Sequence, residues 1–323
     1  MTTHIGPFTT AIVDSREAVV EFVAWLREFA TTERGRGRPG LDEQIRGYQE
    51  LADRARDRGA GGLPPLPARP KVSCLMVTRN RIELVRRSIA SYLAQSHAER
   101  ELVVVPDPTA PLADLERHLA ELGRADIALV TGHGARSLSA LRNVSLRSAT
   151  GDVVCTWDDD DIYHPDRVRV QLAAIVEDDT AASYLQDELH YFTATGQLFW
   201  LNWQNLHPRC LPGTAMLRRG IAPLYSEAPS FAGSSEDTHL FYSLRQRISI
   251  VRGPPYLYVY AVHGSNTWGE SHHHLLMDML GVVPIGGREA ELARGLAELG
   301  LRAVRDPTAG VEAMRVVPGD PAP

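Results

Sequence analysis

From residue 71 to residue 176 the sequence alternates short apolar runs with amphipathic helices, and this alternation restricts the fold more than any other feature. Residues 72–77, 102–105, 127–130 and 153–157 are continuous apolar segments of strand length. Residues 82–93, 112–122, 138–149 and the stretch opened by Pro165 carry apolar side chains at helical spacing. Strands that are apolar on both faces are covered on both faces, so the pattern predicts a mainly parallel sheet flanked by helices, an α/β fold. Beyond residue 176 the expectation is a strand at 182–186, a hairpin over 189–201 around Thr195-Gly196, a strand within 213–220, a helix over 236–244 and a strand over 256–262.

The apolar run 153–157 stops at four consecutive carboxylates, Asp158, Asp159, Asp160 and Asp161. In open α/β sheets ligands collect at the carboxyl ends of strands, where this run falls. Two carboxylates ~4 Å apart repel by about 4 kcal/mol at an effective dielectric near 20, so crowding them beside an apolar strand calls for a cation. Hard carboxylate oxygens favour Mg²⁺, Mn²⁺ or Ca²⁺ over zinc. The plainer reading is a solvated acidic turn.

The 323 residues suffice for one large α/β domain with extensions. A net charge of −6 argues against a general nucleic-acid binder. No apolar run approaches the roughly 20 residues of a membrane span, and a cytoplasmic setting is expected. Cys74, Cys155 and Cys210 are odd in number and widely spaced, as free thiols of a reducing compartment would be. Residues 1–62 are expected to form a separate helical extension. Asp14 and Glu17 suggest a capping box there, with Val19, Phe22, Val23 and Leu26 on one face. That extension could pair two copies as a homodimer or pack on the main domain. Residues 63–70 form a Pro-rich linker, 71–281 the main domain, and 282–323 one helix with a frayed tail.

Between residues 71 and 270 six motifs occur in order: VSCLMVTRNR, ELVVVPD, LSALRN, the DDDD run with PDR, SSED and HGSNTW. Together they resemble the inverting family 2 glycosyltransferases of GT-A fold. The resemblance implies a sugar moved from a nucleoside-diphosphate donor, a UDP-sugar above all, to a hydroxyl of a glycan, natural-product or peptide acceptor. It implies that Asp158 faces the donor ribose, with Asp159 beside it, and that Asp160 binds the Mn²⁺ or Mg²⁺ bridging the diphosphate. His263 then matches a histidine that completes the metal shell in some GT-A enzymes. Thr78, Arg79 and Asp107 fall where the family lines the base pocket, although Pro106 replaces a usual second acid. Arg142 and Asn143 fall on the helix face that abuts the diphosphate or braces the metal loop. Asp237 of the ED pair matches the catalytic base, with Glu236 beside it toward the acceptor.

Such chemistry needs a cation for the charge on the leaving phosphate and a carboxylate to take the acceptor's proton. The dipole of the helix that Asp237 opens favours its ionised form. Trp200, Trp203 and Trp268 fit an acceptor platform or core packing equally. His272 to His274 cannot all reach one ion from a helix and read as surface or acceptor-loop residues. Two other functions stay open: a catalytically silent GT-A domain that binds nucleotide-sugar or scaffolds a partner, and a nucleotidyltransferase. The second would want a glycine-rich loop after the first strand, and VTRNR has no glycine.

Overall fold

A computed structural model describes residues 8–57, 62–231, 235–306 and 313–317. Strands β2 (Val72–Thr78), β3 (Arg100–Pro106), β4 (Ile127–Leu129) and β5 (Val153–Thr156) pair in parallel, in the spatial order β5-β2-β3-β4. The three inner strands β5, β2 and β3 are apolar on both faces because helices cover both, whereas the edge strand β4 is only partly buried. Leu75, Val103, Val105 and Val154 point into one core, whereas Cys74, Met76, Val104 and Cys155 point into the other. Helices α3 (Ile82–Leu93), α4 (Ala113–Leu122) and α6 (Arg167–Glu177) close the second core with Val85, Ile89, Leu115, Val168 and Ile175. Helix α5 (Leu138–Ser148) closes the first with Leu141 and Leu146. All three cysteines are buried free thiols.

The sheet continues past β5 through β10 (Met216–Arg218), which runs antiparallel to both neighbours, then β7 (Ala182–Leu185) and β11 (Arg247–Arg252). Its eighth strand corrects the expected boundary of the first domain. Residues 1–62 are not a separate helical unit, because β1 (Thr9–Asp14) pairs with β11 along its whole length. Helices α1 (Ser15–Thr31) and α2 (Leu41–Asp57) then lay Val19, Phe22, Leu26, Tyr48 and Leu51 on the first core, against Tyr184, Tyr242 and Ile250. Asp14 does cap α1, accepting from the Arg16 backbone N–H. The Pro-rich linker lies along β10, where the Arg218 guanidinium donates to the Pro64 carbonyl over 2.6 Å.

A second, six-stranded sheet holds β6 (Ile162–Tyr163), β8 (Asp187–Phe192), β9 (Gln197–Asn202) and β12 (Tyr258–Val262). The C-terminal region differs from the helix and tail expected of it. After α9 (Glu289–Glu298), β13 (Arg302–Arg305) and β14 (Ala313–Val317) form a hairpin that extends this sheet from β9. Met314 and Ala303 thereby cover Leu198 and Trp200, so Trp200 is core, with its indole N–H on Asp187 at 2.8 Å. The frayed end expected at 318–323 falls outside the described residues. Among the described residues no helix is long and apolar enough to cross a membrane.

Candidate active site

At the end of β5 the chain turns through the acidic run, and the turn is held from beneath. The Ser88 hydroxyl donates to the Asp158 carbonyl at 2.8 Å, the Tyr163 hydroxyl to the same oxygen at 3.1 Å, and Arg87 to the Asp160 carbonyl. Arg167 of the PDR motif is fully buried below, its guanidinium 4.6 Å from the Tyr163 ring centre and 5.4 Å from that of Trp157.

The four carboxylates then take four different paths. Asp161 points inward and accepts from the Tyr258 hydroxyl and, at 3.0 Å, from the Ala261 N–H. Asp159 is buried against the Thr78 hydroxyl and Arg81, whose guanidinium sits 2.6 Å from it and 2.8 Å from Asp160. Asn80, at φ 61°, makes the left-handed turn that swings Arg81 onto these acids. Asp160 also meets the His263 imidazole at 3.2 Å. Asp158 alone turns toward α5, where Arg142 reaches it at 3.2 Å.

Arg142 joins this cluster to a second one. Its side chain is 8% exposed and also lies 3.4 Å from Asp237 and 3.5 Å from Glu236, in the first turn of α7 (Glu236–Ser243). Gln44 of α2 steadies that turn by donating to the Ser230 carbonyl and the Ser235 hydroxyl at 3.0 and 3.2 Å. Ser234 of the SSED motif lies outside the described residues. The Asp237 Oδ1 atom is buried without a hydrogen-bond partner. Burial pushes its carboxyl up to about 7; Arg142 pulls it down, and Glu236 and Asp158 push it further up. The helix dipole therefore does not keep Asp237 fully ionised, as the sequence led us to expect: desolvation is the larger effect. Burial likewise raises Asp158 and Glu236, Arg142 opposing it in both.

Asp107, Arg79 and Thr78 line one end of the same cavity, which holds about 720 Å³. The Asp107 carboxylate is turned back on Thr109, whose hydroxyl and N–H donate over 2.7 and 2.9 Å and hold its pKa below the usual carboxylate range. Asn143 is a correction: it does not line the cavity. Its amide donates to the Tyr225 carbonyl at 3.0 Å and Glu227 at 2.9 Å, and its oxygen accepts from the Tyr225 N–H. Adjacent helical residues point about 100° apart, so Arg142 and Asn143 could not both face the donor. Trp203 and Trp268 both line the cavity, Trp268 stacked on His272 at 4.2 Å. The triple histidine lies on an unexpected helix, α8 (Glu270–Leu280), and His273 is buried there, not at the surface. Arg81 was passed over as a counter-ion of the acidic run, although VTRNR puts it one turn after β2.

Residues 73–221 match the profile described as Glycosyl transferase family 2. That segment is a family 2 glycosyltransferase domain. The putative colanic acid biosynthesis glycosyl transferase WcaA of Escherichia coli (strain K12) is 31% identical over 104 residues, 32% of this chain and 37% of that protein. The UDP-Glc:alpha-D-GlcNAc-diphosphoundecaprenol beta-1,3-glucosyltransferase WfgD of Escherichia coli is 26% identical over 113 residues, 35% and 44% of the two chains. The chain thus spans less than half the length of either relative. Among solved structures, S. aureus TarS 1-349 in complex with UDP-GlcNAc aligns with 17% identity and a TM-score of 0.48, over 71% of this chain and 72% of that one. The family 2 domain shows the GT-A plan that its motifs implied, a mixed sheet with the acidic run at the end of β5.

Proposed function

We propose that this family 2 protein is a metal-dependent, inverting glycosyltransferase that uses a UDP-sugar. One observation carries the reading: Arg142 spans Asp158 and Asp237, so the acidic run and the ED pair open on one cavity. The UDP-sugar preference draws on the name of WfgD, which uses a UDP-linked glucose.

Asp160 and His263 fit a hard divalent cation as a carboxylate and an imidazole already in contact. Among the described residues no three His, Cys, Asp or Glu side chains converge as a cage. Two protein ligands suit Mg²⁺ or Mn²⁺, which fills its remaining positions with phosphate oxygens and water. When bound, the cation would offset the negative charge growing on the departing diphosphate. Arg81 would be the group displaced from Asp160.

The protein's own residues would divide the remaining work. Thr78, Arg79 and Asp107 would hold the base. Arg142 would orient Asp158 toward the ribose and fix Asp237 on the acceptor side. The acceptor oxygen attacks the anomeric carbon, the carbon–phosphate oxygen bond breaks, and its electron pair leaves with UDP. The acceptor's proton passes to the unpartnered Oδ1 of Asp237. One displacement inverts the anomeric centre.

The test compares Asp237→Asn with the parent protein, supplied with UDP-sugars and Mn²⁺. The reading expects UDP binding by calorimetry to persist while UDP release falls by about a hundredfold or more. Near-normal release would remove Asp237 as the base.

A further inference from the structure

The inner wall of the cavity carries a second polar cluster that the transfer chemistry leaves unused. Glu188 and His190 lie two residues apart on β8 and therefore share a face. The His190 Nε2 atom is 3.2 Å from the Glu188 carboxylate, which also accepts the Trp203 indole N–H at 2.6 Å. Tyr260, across from His190 on β12, packs between the His190 and His273 rings at 5.1 and 4.9 Å. Glu188, His190 and His273 are each at least 98% buried, and all line the cavity.

Their polar atoms are nonetheless incompletely matched. The Glu188 Oε2, the His190 Nδ1 and both nitrogens of His273 lack a well-formed hydrogen bond, although His273 also interacts with the Trp268 backbone. A buried polar group without a partner costs free energy of the order of a hydrogen bond, and four together need an explanation. A metal is the poorer match here, because the Glu188 oxygen that faces His190 is already taken by the Trp203 N–H and no three-ligand set converges among the described residues. Burial holds His273 neutral, its pKa down at about 3, so its ring offers one donor and one acceptor. A half-turn of either imidazole about its Cβ–Cγ bond exchanges nitrogen for carbon on the cavity side. Carboxylate, imidazoles and the faces of Trp203 and Tyr260 together complement vicinal hydroxyls on an apolar ring edge. A cation would find one carboxylate already shared, and a flat aromatic acceptor would leave Glu188 unmatched.

Building on the transferase reading, we infer that Glu188, His190 and His273, with Trp203 and Tyr260, form an acceptor subsite for a sugar ring. The acceptor is then a carbohydrate, not a peptide or an aromatic aglycone. Saturation-transfer NMR with the methyl glycosides of glucose, galactose, mannose and N-acetylglucosamine reads this directly. At least one glycoside should bind the parent protein, keep its signal when UDP and Mn²⁺ are added, and bind roughly tenfold or more weakly to His273→Ala and Glu188→Gln. Near-ultraviolet circular dichroism checks that the variants fold, and Tyr260→Leu, which removes the ring face, serves where Glu188→Gln does not. No glycoside binding, equal affinity in the variants, or displacement by UDP would overturn the subsite. Glycoside binding without UDP release from any UDP-sugar would sustain the subsite and refute the transferase reading. Release without glycoside binding would do the reverse.

Discussion

Replacing Glu236 by glutamine should move the pH profile of transfer toward acid, because Glu236 helps hold the Asp237 proton. Asp237 titrates near 7, raised by burial first and then by Glu236 and Asp158, with Arg142 opposing. A base must be deprotonated, so the parent rate should climb about tenfold per pH unit below 7 and level off above it. Glu236 and Asp237 flank one guanidinium at 3.5 and 3.4 Å. Two unit charges ~7 Å apart at an effective dielectric near 20 interact by about 2 kcal/mol, or roughly 1.5 pKa units. The Asp237 side chain is 19% exposed, and water in the cleft trims this to about one unit. The assay is initial UDP release from pH 5 to 9, taken as kcat/KM. An acid limb about one unit lower in Glu236→Gln, with the plateau preserved within a few-fold, is the expected result. Arg142→Gln should shift the limb the other way. An unmoved limb in both variants would refute the assignment of the acid limb to Asp237.

The same raised pKa has a stability consequence of definite sign. Folding favours protonated Asp237, so its contribution is present below the unfolded value near 3.8 and is lost as pH rises through about 7. Asp237→Asn should therefore raise the melting temperature at pH 8 relative to the parent, with little difference at pH 4; equal shifts at both would contradict this. Asp160→Asn should abolish the Mn²⁺ dependence of UDP binding in calorimetry, and unchanged dependence would exclude Asp160 as a ligand. Phe22, stacked on Tyr242 at 4.7 Å, ties the N-terminal helices to α7, so Phe22→Ala should cost about 3–5 kcal/mol in urea unfolding. Asn143→Ala should cost about 1–3 kcal/mol of stability and leave UDP affinity unchanged, since its three hydrogen bonds hold the 225–227 segment and not the donor.

The β2–α3–β3 to β5 region was legible because each strand there is apolar throughout and each helix is amphipathic, so periodicity alone located them. Elements built otherwise were missed. β11 contains only four buried residues between two arginines, and β1 has only the three apolar residues Ala11, Ile12 and Val13 before its helix; both exist because each supplies the other's partner strand. The C-terminal hairpin likewise depends on β9, which lies over a hundred residues earlier. Within the site, Asp158, Asp160, Asp237 and Arg142 were recognisable from order and spacing. Asn143 was not separable from Arg142 without the helix rotation, and Glu188, His190 and His273 come together only through the second sheet and α8. Ionisation was the least readable property: Asp237 sits where a dipole should lower its pKa, yet desolvation by the surrounding fold raises it.

The most direct measurement is a crystal structure with an unreactive UDP-sugar analogue and Mn²⁺, using anomalous scattering to find the metal. The account predicts a manganese peak bonded to Asp160 and His263, the diphosphate beside it, and the anomeric carbon between that peak and the Asp237 carboxylate. A nucleotide bound outside this cavity, or an anomeric carbon turned away from Asp237, would contradict it.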